Sequence, residues 1–237
     1  MLIPSIDLMG GKIVQLVQGK EKKLEFDNFD EWLARFSSFP LIQLIDLDAA
    51  MDRGSNSALI EYFVRRLPCQ VGGGIRSVEI ARQTLALGAR RIILGSSLIR
   101  QGVMNTDFAI QLAKELGESR LVFGIDAKGG KVAIRGWREV TDITPLEMVR
   151  ALEPFCSAFL YTHIDTEGTM TGLPLEPVRR LKTATTKQLI VAGGIATYDE
   201  VEHLHRIGVD AVVGMALYSG RLGPSDTGLP VNIPVSK

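Results

Sequence analysis

The chain has 237 residues, of which 46% are hydrophobic and 23% are charged, a composition typical of a folded domain with a sizeable core. Its 27 basic and 27 acidic residues give a formal net charge of zero, which excludes the global positive field of a nucleic-acid or anionic-membrane binder. No apolar run of about 18 residues and no signal-like N-terminus is present, so we expect a cytoplasmic protein without a membrane span.

Short apolar runs alternate with amphipathic helical patterns along the whole chain. Runs that are apolar at nearly every position predict parallel strands covered on both faces. Between them, Thr144 and Thr197 each precede a helical pattern with Glu three residues later, the sequence of a capping box. The predicted strands are residues 2–6, 41–46, 69–73, 91–95, 121–126, 158–164, 188–194 and 211–214.

The second half of the chain repeats the first at a spacing of about 119 residues. "IDLMGGK" (6–12) matches "IDAKGGK" (125–131), and "LGSSL" (94–98) matches "VGMAL" (213–217). Two-fold repetition of eight βα units favours a closed (β/α)8 TIM barrel over an open doubly wound sheet. We expect a single domain over 1–237, made of half-barrels at about 1–119 and 120–237. The Gly- and Pro-rich tail after Tyr218 predicts that the eighth helix is shortened or absent.

Glycine turns follow the predicted third and seventh strands, and a second pair follows the fourth and eighth. Backbone N–H groups at such strand-to-helix turns bind phosphate, although glycine also serves merely to make tight turns. Two matched pairs predict two facing phosphate clamps and a small-molecule substrate with a phosphate at each end. The residues of the predicted clamps are Gly73, Gly74, Gly95, Ser96, Gly193, Gly194, Gly214 and Met215.

Two aspartates occupy matched positions at the ends of predicted strands. Asp7 and Asp126 therefore face each other across the barrel mouth, where a carboxylate pair suits one proton donation and one proton removal. The alternative is that each merely caps its following "GGK" turn. Asp46 and Asp165 form a second matched pair, for which structural support is at least as strong an interpretation as catalysis.

Trp137 follows the fifth predicted strand between two arginines, where an indole suits stacking on a flat heterocycle. Trp32 instead lies in an amphipathic pattern and is predicted to be a core residue.

The run "KEKK" (20–23) is interpreted as a solvated, mobile loop, with a lid role as the alternative. Cys69 and Cys156 lie in apolar stretches and are predicted to be buried free thiols; the three histidines do not have the spacing of a metal site.

Together, "IPSIDLMGGKIVQLVQG", "LIDLDAAMDRGSN", "VGGGIRS", "GIDAKGGKVAIRGW", "DTEGTMTG", "VAGGIAT" and "VGMALY" resemble the (β/α)8 isomerases of histidine biosynthesis, the phosphoribosylformimino-aminoimidazole-carboxamide ribotide isomerase family. The resemblance covers about nine-tenths of the chain. It implies an Amadori rearrangement of an aminoaldose to an aminoketose in a bis-phosphorylated ribotide, without a metal or cofactor.

The resemblance also assigns roles to individual residues. It implies that Asp126 is the acid, assisted by Thr162, and that Asp7 is the base that removes the C2 proton. It further implies that Trp137 stacks on the heterocycle, and it places Arg76 near a phosphate and Gly168 of the "DTEG" motif at the substrate.

The chain departs from the family pattern at two places in its sequence, and its shortened or absent eighth helix is also unusual for the family. Gln15 stands where many relatives have arginine, and Lys128–Gly129 stand where Arg–Asp is frequent.

Three alternatives remain open at this stage. They are the sister cyclase, which docks a glutaminase; a bifunctional isomerase that also acts on phosphoribosyl anthranilate; and a catalytically weak paralogue that binds phosphorylated metabolites. "KGGKVAIRGW" and "GGIRS" speak against the cyclase. We expect a monomer or a weak homo-oligomer, with no nucleic acid or membrane as partner.

Overall fold

A computed structural model describes residues 1–222, in which eight parallel strands close into a barrel. Each strand pairs with the next along the chain, and the last pairs with the first, with Leu2 opposite Ala211. This confirms the predicted (β/α)8 TIM barrel and all eight predicted strands; the one-domain and half-barrel boundaries stay predictions. The strands are β1 (Leu2–Met9), β2 (Ile42–Asp46), β3 (Cys69–Gly72), β4 (Arg91–Leu94), β5 (Leu121–Lys128), β6 (Ala158–His163), β7 (Gln188–Ala192) and β8 (Asp210–Val213).

Helices connect these strands and cover the outside of the barrel. Two of them begin with the predicted capping boxes, because Thr144 Oγ1 accepts from Glu147 N at 3.2 Å and Thr197 Oγ1 accepts from Glu200 N at 3.3 Å. The helices are α1 (Phe29–Phe36), α2 (Leu47–Ala50), α3 (Ser57–Val64), α4 (Val78–Ala86), α5 (Thr106–Leu116), α6 (Pro145–Leu152), α7 (Leu175–Ala184), α8 (Tyr198–Arg206) and α9 (Met215–Tyr218), with 3₁₀ turns at Ser96–Leu98, Glu118–Arg120, Glu153–Phe155 and Ile164–Thr166.

The first and fifth βα connections carry additional antiparallel strands that rise above the barrel mouth. Lys12–Val17 pairs with β1 and with Glu21–Phe26, and Lys131–Ile134 pairs with β5 and with Glu139–Val140. A further short hairpin joins Ile99–Arg100 to Val103–Met104. The first and fifth connections therefore place their hairpins beside the strand ends where the predicted site lies.

The interpretation of residues 20–23 as a loop is wrong for 21–23, whereas Lys20 lies in the turn before the strand and all four residues are exposed, as predicted. Glu21–Phe26 is a strand whose exposed charges are paired, since Glu25 forms ion pairs with both Lys12 on the neighbouring strand and Lys22 on its own. Leu24 and Phe26 turn inward and pack against the core. Cross-strand pairing thus orders a segment whose composition resembles that of a solvated loop.

An aromatic cluster closes the barrel beside its last strand. Trp32 on α1 is buried, as predicted, and its ring centroid lies 4.2 Å from that of Tyr218 on α9 and 4.9 Å from that of Phe26. Helix α9 has only four residues. The Gly- and Pro-rich tail that extends to residue 237 lies, from residue 223 onward, outside the described residues.

The remaining sequence expectations about the core also hold. Cys69 and Cys156 are buried free thiols, as predicted. In the described part of the chain, no helix has the length and apolar character needed to cross a bilayer.

Candidate active site

A cavity of about 230 Å³ opens where the barrel strands end and the βα connections begin. Every residue proposed for the site from the sequence lines this one cavity, which is the face where barrel enzymes carry their chemistry. These residues are Asp7, Gly73, Gly74, Arg76, Gly95, Ser96, Asp126, Trp137, Thr162, Gly168, Gly193, Gly194, Gly214 and Met215. Their individual roles stay predictions.

The glycine turns after β3 and β7 adopt matching conformations that exclude other residues. Gly73 has φ +100° and Gly193 has φ +116°. A Cβ at Gly193 would lie 2.5 Å from the carbonyl oxygen of His163, and a Cβ at Gly73 would overlap the carbonyl oxygen of Asp46. Both glycines line the cavity and neither position admits a side chain, so the backbone of each turn meets the cavity without side-chain cover.

The second pair of turns also matches in backbone geometry. Gly95 has φ −122° and ψ −91°, and Gly214 has φ −109° and ψ −95°. Ser97 Oγ donates to the carbonyl oxygen of Ile75 at 3.0 Å, which ties the turn after β4 to the turn after β3. Since β3–β4 and β7–β8 lie four strands apart in a ring of eight, the two clamps face each other across the cavity.

Asp7 lies near the end of β1 with its carboxylate in the cavity wall. Ser5 Oγ donates a hydrogen bond to Asp7 Oδ1 at 3.0 Å. Burial raises the pKa of Asp7 to about 6, and the hydrogen bond from Ser5 opposes that rise. The carboxylate is therefore mostly ionised at neutral pH yet more basic than an ordinary aspartate, which suits the removal of a proton.

Asp126 lies near the end of β5, with Thr162 directly beside it in the register of β5 and β6. Trp137 Nε1 donates to Asp126 Oδ2 at 2.8 Å. Burial raises the pKa of Asp126, while hydrogen bonds from Trp137 and Thr162 lower it. The residue predicted to assist the acid thus contacts it, and Trp137 adds a contact that the sequence did not predict.

The indole of Trp137 rests on the tip of the first hairpin. Arg135, Gly136 and Trp137 have φ values of +56°, +64° and +65°, so three successive left-handed residues turn the side chain over the cavity. At the tip, Gly19 has φ +66°, and a Cβ there would lie 2.7 Å from Trp137 Cε3. The absence of a side chain at Gly19 therefore lets the indole ring pack directly against the backbone of the hairpin tip.

Arg76 and Gln15 line the cavity on opposite clamps. The Arg76 guanidinium forms an ion pair with Asp52 and donates to the carbonyl oxygen of Ala50 at 3.1 Å, so it is held at the rim of the first clamp. Gln15 is buried, and its Nε2 donates to the carbonyl oxygen of Val14 at 2.9 Å. Its Oε1 lies 2.6 Å from the point that a Cβ on Gly214 would occupy, so this neutral side chain fills the edge of the second clamp.

The second matched aspartate pair has diverged between the halves. Asp46 is buried and accepts hydrogen bonds from the backbone and side chain of Asn56, both at 2.7 Å. Asp165 is exposed and accepts from Gly129 N at 2.9 Å. Both carboxylates hold loops in place, in agreement with the structural interpretation.

Glu167 is the site residue that the sequence analysis did not single out. It follows the 3₁₀ turn after β6 and lines the same cavity. Burial, and then the negative charges of Asp7 and Asp126, raise its pKa to about 8. Within residues 1–222 no group donates a hydrogen bond to its carboxyl. Glu167 therefore holds its proton more readily than Asp7 does.

A closed barrel with three carboxyl groups in the cavity at the carboxyl ends of its strands places the chain in the class of (β/α)8 barrel enzymes. The profile of a family described as "Histidine biosynthesis protein" matches residues 1–223. The chain belongs to this family.

Curated relatives cover nearly the full length of the chain. Proteins of Methanocaldococcus jannaschii (35% identical over 227 residues, covering 93% of this chain and 94% of the relative), Methanococcus voltae (35% over 242 residues, 98% of each) and Methanosarcina mazei (37% over 235 residues, 93% of each) are similar to it. All three are named 1-(5-phosphoribosyl)-5-((5-phosphoribosylamino)methylideneamino)imidazole-4-carboxamide isomerase.

Proposed function

We propose that this protein is an intramolecular isomerase of histidine biosynthesis that converts the aminoaldose of a bis-phosphorylated ribotide into the aminoketose by an Amadori rearrangement. The observation that carries the proposal is the arrangement of one cavity, with a bare glycine clamp on each side and carboxyl groups between the clamps. The substrate in the relatives' name has two phosphoribosyl groups, which matches two clamps.

The reaction needs two proton transfers at one sugar. A general acid protonates the ring oxygen, the C1–O bond breaks, and the nitrogen lone pair forms the C1–N double bond of an iminium ion. A general base then removes the C2 proton, and the electron pair of the broken C2–H bond forms the C1–C2 double bond as the iminium nitrogen becomes an amine. The resulting enol gives the ketone at C2 with net return of a proton to C1.

Asp7 is the base in this proposal. Its pKa of about 6 leaves it ionised at neutral pH while keeping it more basic than an ordinary aspartate. The hydrogen bond from Ser5 Oγ, at 3.0 Å, fixes the orientation of the carboxylate.

Asp126 is the acid, with Thr162 beside it. Burial raises the pKa of Asp126, which makes it easier to protonate than an exposed aspartate, and Trp137 Nε1 orients its Oδ2 from 2.8 Å. Glu167, whose pKa is raised to about 8, serves as a second proton donor in the same cavity in this proposal. Carboxyl groups whose environments separate their pKa values are the usual arrangement for acid and base in one site.

The test is turnover of the aminoaldose ribotide by purified wild type, Asp7→Asn, Asp126→Asn and Glu167→Gln. We expect Asp7→Asn and Asp126→Asn each to lower kcat by at least ~100-fold, in the usual range for general acid–base groups. Asp107→Asn is the matched control, because that exposed carboxylate lies on α5, outside the cavity. Full turnover by both cavity variants would refute the mechanism.

The same experiment separates the alternatives. A wild type that binds the ribotide without turnover would identify a binding paralogue, and an assay with phosphoribosyl anthranilate would reveal a second isomerase activity. A cytoplasmic location and a monomeric or weakly associated state belong to the proposal as well. Light scattering of the purified protein tests the latter.

A further inference from the structure

A second cavity, of about 550 Å³, lies directly outside the candidate active site. We call it the vestibule. The two cavities share a wall formed by Leu16, Gly19, Met51, Gly136 and Trp137. The vestibule and the active-site cavity are therefore immediate neighbours, separated only by these residues.

The vestibule is strongly basic. It has a single acidic side chain, Asp165, and that carboxylate already accepts a hydrogen bond from Gly129 N at 2.9 Å. Its basic side chains come from the first hairpin and from the second and fifth connections, and they are Lys20, Lys22, Arg53, Lys128 and Arg138.

Three of these cations have no carboxylate partner among residues 1–222. Lys22 forms an ion pair with Glu25, and Arg138 Nε donates to the carbonyl oxygen of Arg135 at 3.0 Å. Lys20, Arg53 and Lys128 take part in none of the ion pairs formed within the described chain. Lys20 and Arg53 are exposed and Lys128 is half-buried, so their charges lie beside the active-site cavity without a neutralising carboxylate from the described chain.

We propose that Lys20, Arg53 and Lys128 form an anion-capture site in the vestibule, which draws phosphorylated substrates from solution toward the clamps. The inference rests on the proposed function, since a bis-phosphate is the ligand that such a field attracts most. The chain has no net charge, so any attraction must be local. A basic concavity can raise association rates about 10-fold to 1,000-fold, and salt suppresses the effect because the Debye length falls to about 3 Å at 1 M.

The experiment compares two triple variants that remove the same number of charges. The vestibule variant carries Lys20→Gln, Arg53→Gln and Lys128→Gln. The matched control carries Lys114→Gln, Arg150→Gln and Arg206→Gln, which are exposed cations on helices around the outside of the barrel. Association of the ribotide is followed by stopped-flow tryptophan fluorescence in an Asp7→Asn background, so that binding is measured without turnover.

We expect the vestibule variant to lose about tenfold in association rate at low ionic strength and less than about twofold near 0.5 M salt. The control variant should lose less than about twofold throughout. Equal losses in the two variants, or a loss in the vestibule variant that salt does not reduce, would overturn the inference.

A second probe keeps this result independent of the proposed function. Inorganic pyrophosphate carries clustered phosphate charge and needs no chemistry, so its binding is measured by calorimetry even if the ribotide is never turned over. Weaker pyrophosphate binding at low salt in the vestibule variant than in the control supports the capture site. Identical binding in both variants contradicts it, whatever the turnover assay gives.

Discussion

Replacing Ser5 with alanine should move the acidic limb of the pH profile. Ser5 is buried, and its Oγ donates the one side-chain hydrogen bond that lowers the pKa of Asp7. A hydrogen bond to a charged group contributes about 1.5 kcal/mol or more, and one pKa unit corresponds to about 1.36 kcal/mol. Without the hydroxyl, the pKa of Asp7 should therefore rise from about 6 toward roughly 7.

The size of the effect on activity follows from the ionised fraction of the base. At pH 6 about half of the Asp7 carboxylates are ionised in wild type and about one in ten in Ser5→Ala, so kcat/KM should fall about fivefold. At pH 7.5 the same shift should reduce kcat/KM by less than about twofold. The assay is kcat/KM from pH 5 to pH 9, since this parameter reports the pKa values of the free enzyme.

Ser5→Thr is the matched control because it retains a hydroxyl at the same position. We expect its acidic limb to stay near that of wild type. An acidic limb that does not move in Ser5→Ala would show that Asp7 is not the group that must be ionised. A loss of equal size at every pH would instead assign Ser5 a structural role.

Two further predictions concern Gly19 and Glu167. Gly19→Ala should displace the Trp137 indole from Asp126, which would alter tryptophan fluorescence and lower kcat/KM about tenfold, the value of one hydrogen bond to a charged group. Gly11→Ala is the matched control, because Gly11 has a similar φ of +74° but open space around it. Equal losses in both variants would refute the role of Gly19 in supporting the indole. Glu167→Gln should raise Tm more at pH 8.5 than at pH 5. The pKa of the folded state, about 8, lies above that of the unfolded state, so wild type loses stability as pH rises through this window, and a Tm change independent of pH would contradict the raised pKa.

The barrel and the position of its site were predictable because both depend on local patterns. Apolar runs separated by capped helices predict βα units, and a repeat at one spacing predicts that matched residues occupy matched places in a closed ring. Gly73 and Gly193 could be located as facing turns for this reason. Their bare backbones follow from contacts with Asp46 and His163 that only the folded chain reveals.

The features that the sequence did not predict depend on contacts between distant segments. Glu25 on the outer strand of the first hairpin pairs with Lys12 across the hairpin, and this contact orders a run of charges that by itself resembles a loop. The hydrogen bond from Trp137 to Asp126 similarly requires a turn of three left-handed residues, of which only Gly136 is a glycine.

Glu167 could have been found by extending the repeat two residues beyond the matched pair Asp46 and Asp165. Its equivalent in the first half is Asp48, since 167 minus 48 is 119, the spacing that relates Asp7 to Asp126. The two acids differ in their contacts. Asp48 accepts hydrogen bonds from Gly10 N at 2.6 Å and Asn56 Nδ2 at 3.0 Å, whereas Glu167 has no such donor within residues 1–222 and lines the cavity. A repeat thus predicts where an acidic residue lies, but its protonation depends on the donors around it. Because Asp48 is held by Gly10 and Asn56 while Glu167 lines the cavity, only the second half of the described chain supplies a third carboxyl group to the site. A two-fold scaffold thus acquires an asymmetric set of proton donors and acceptors.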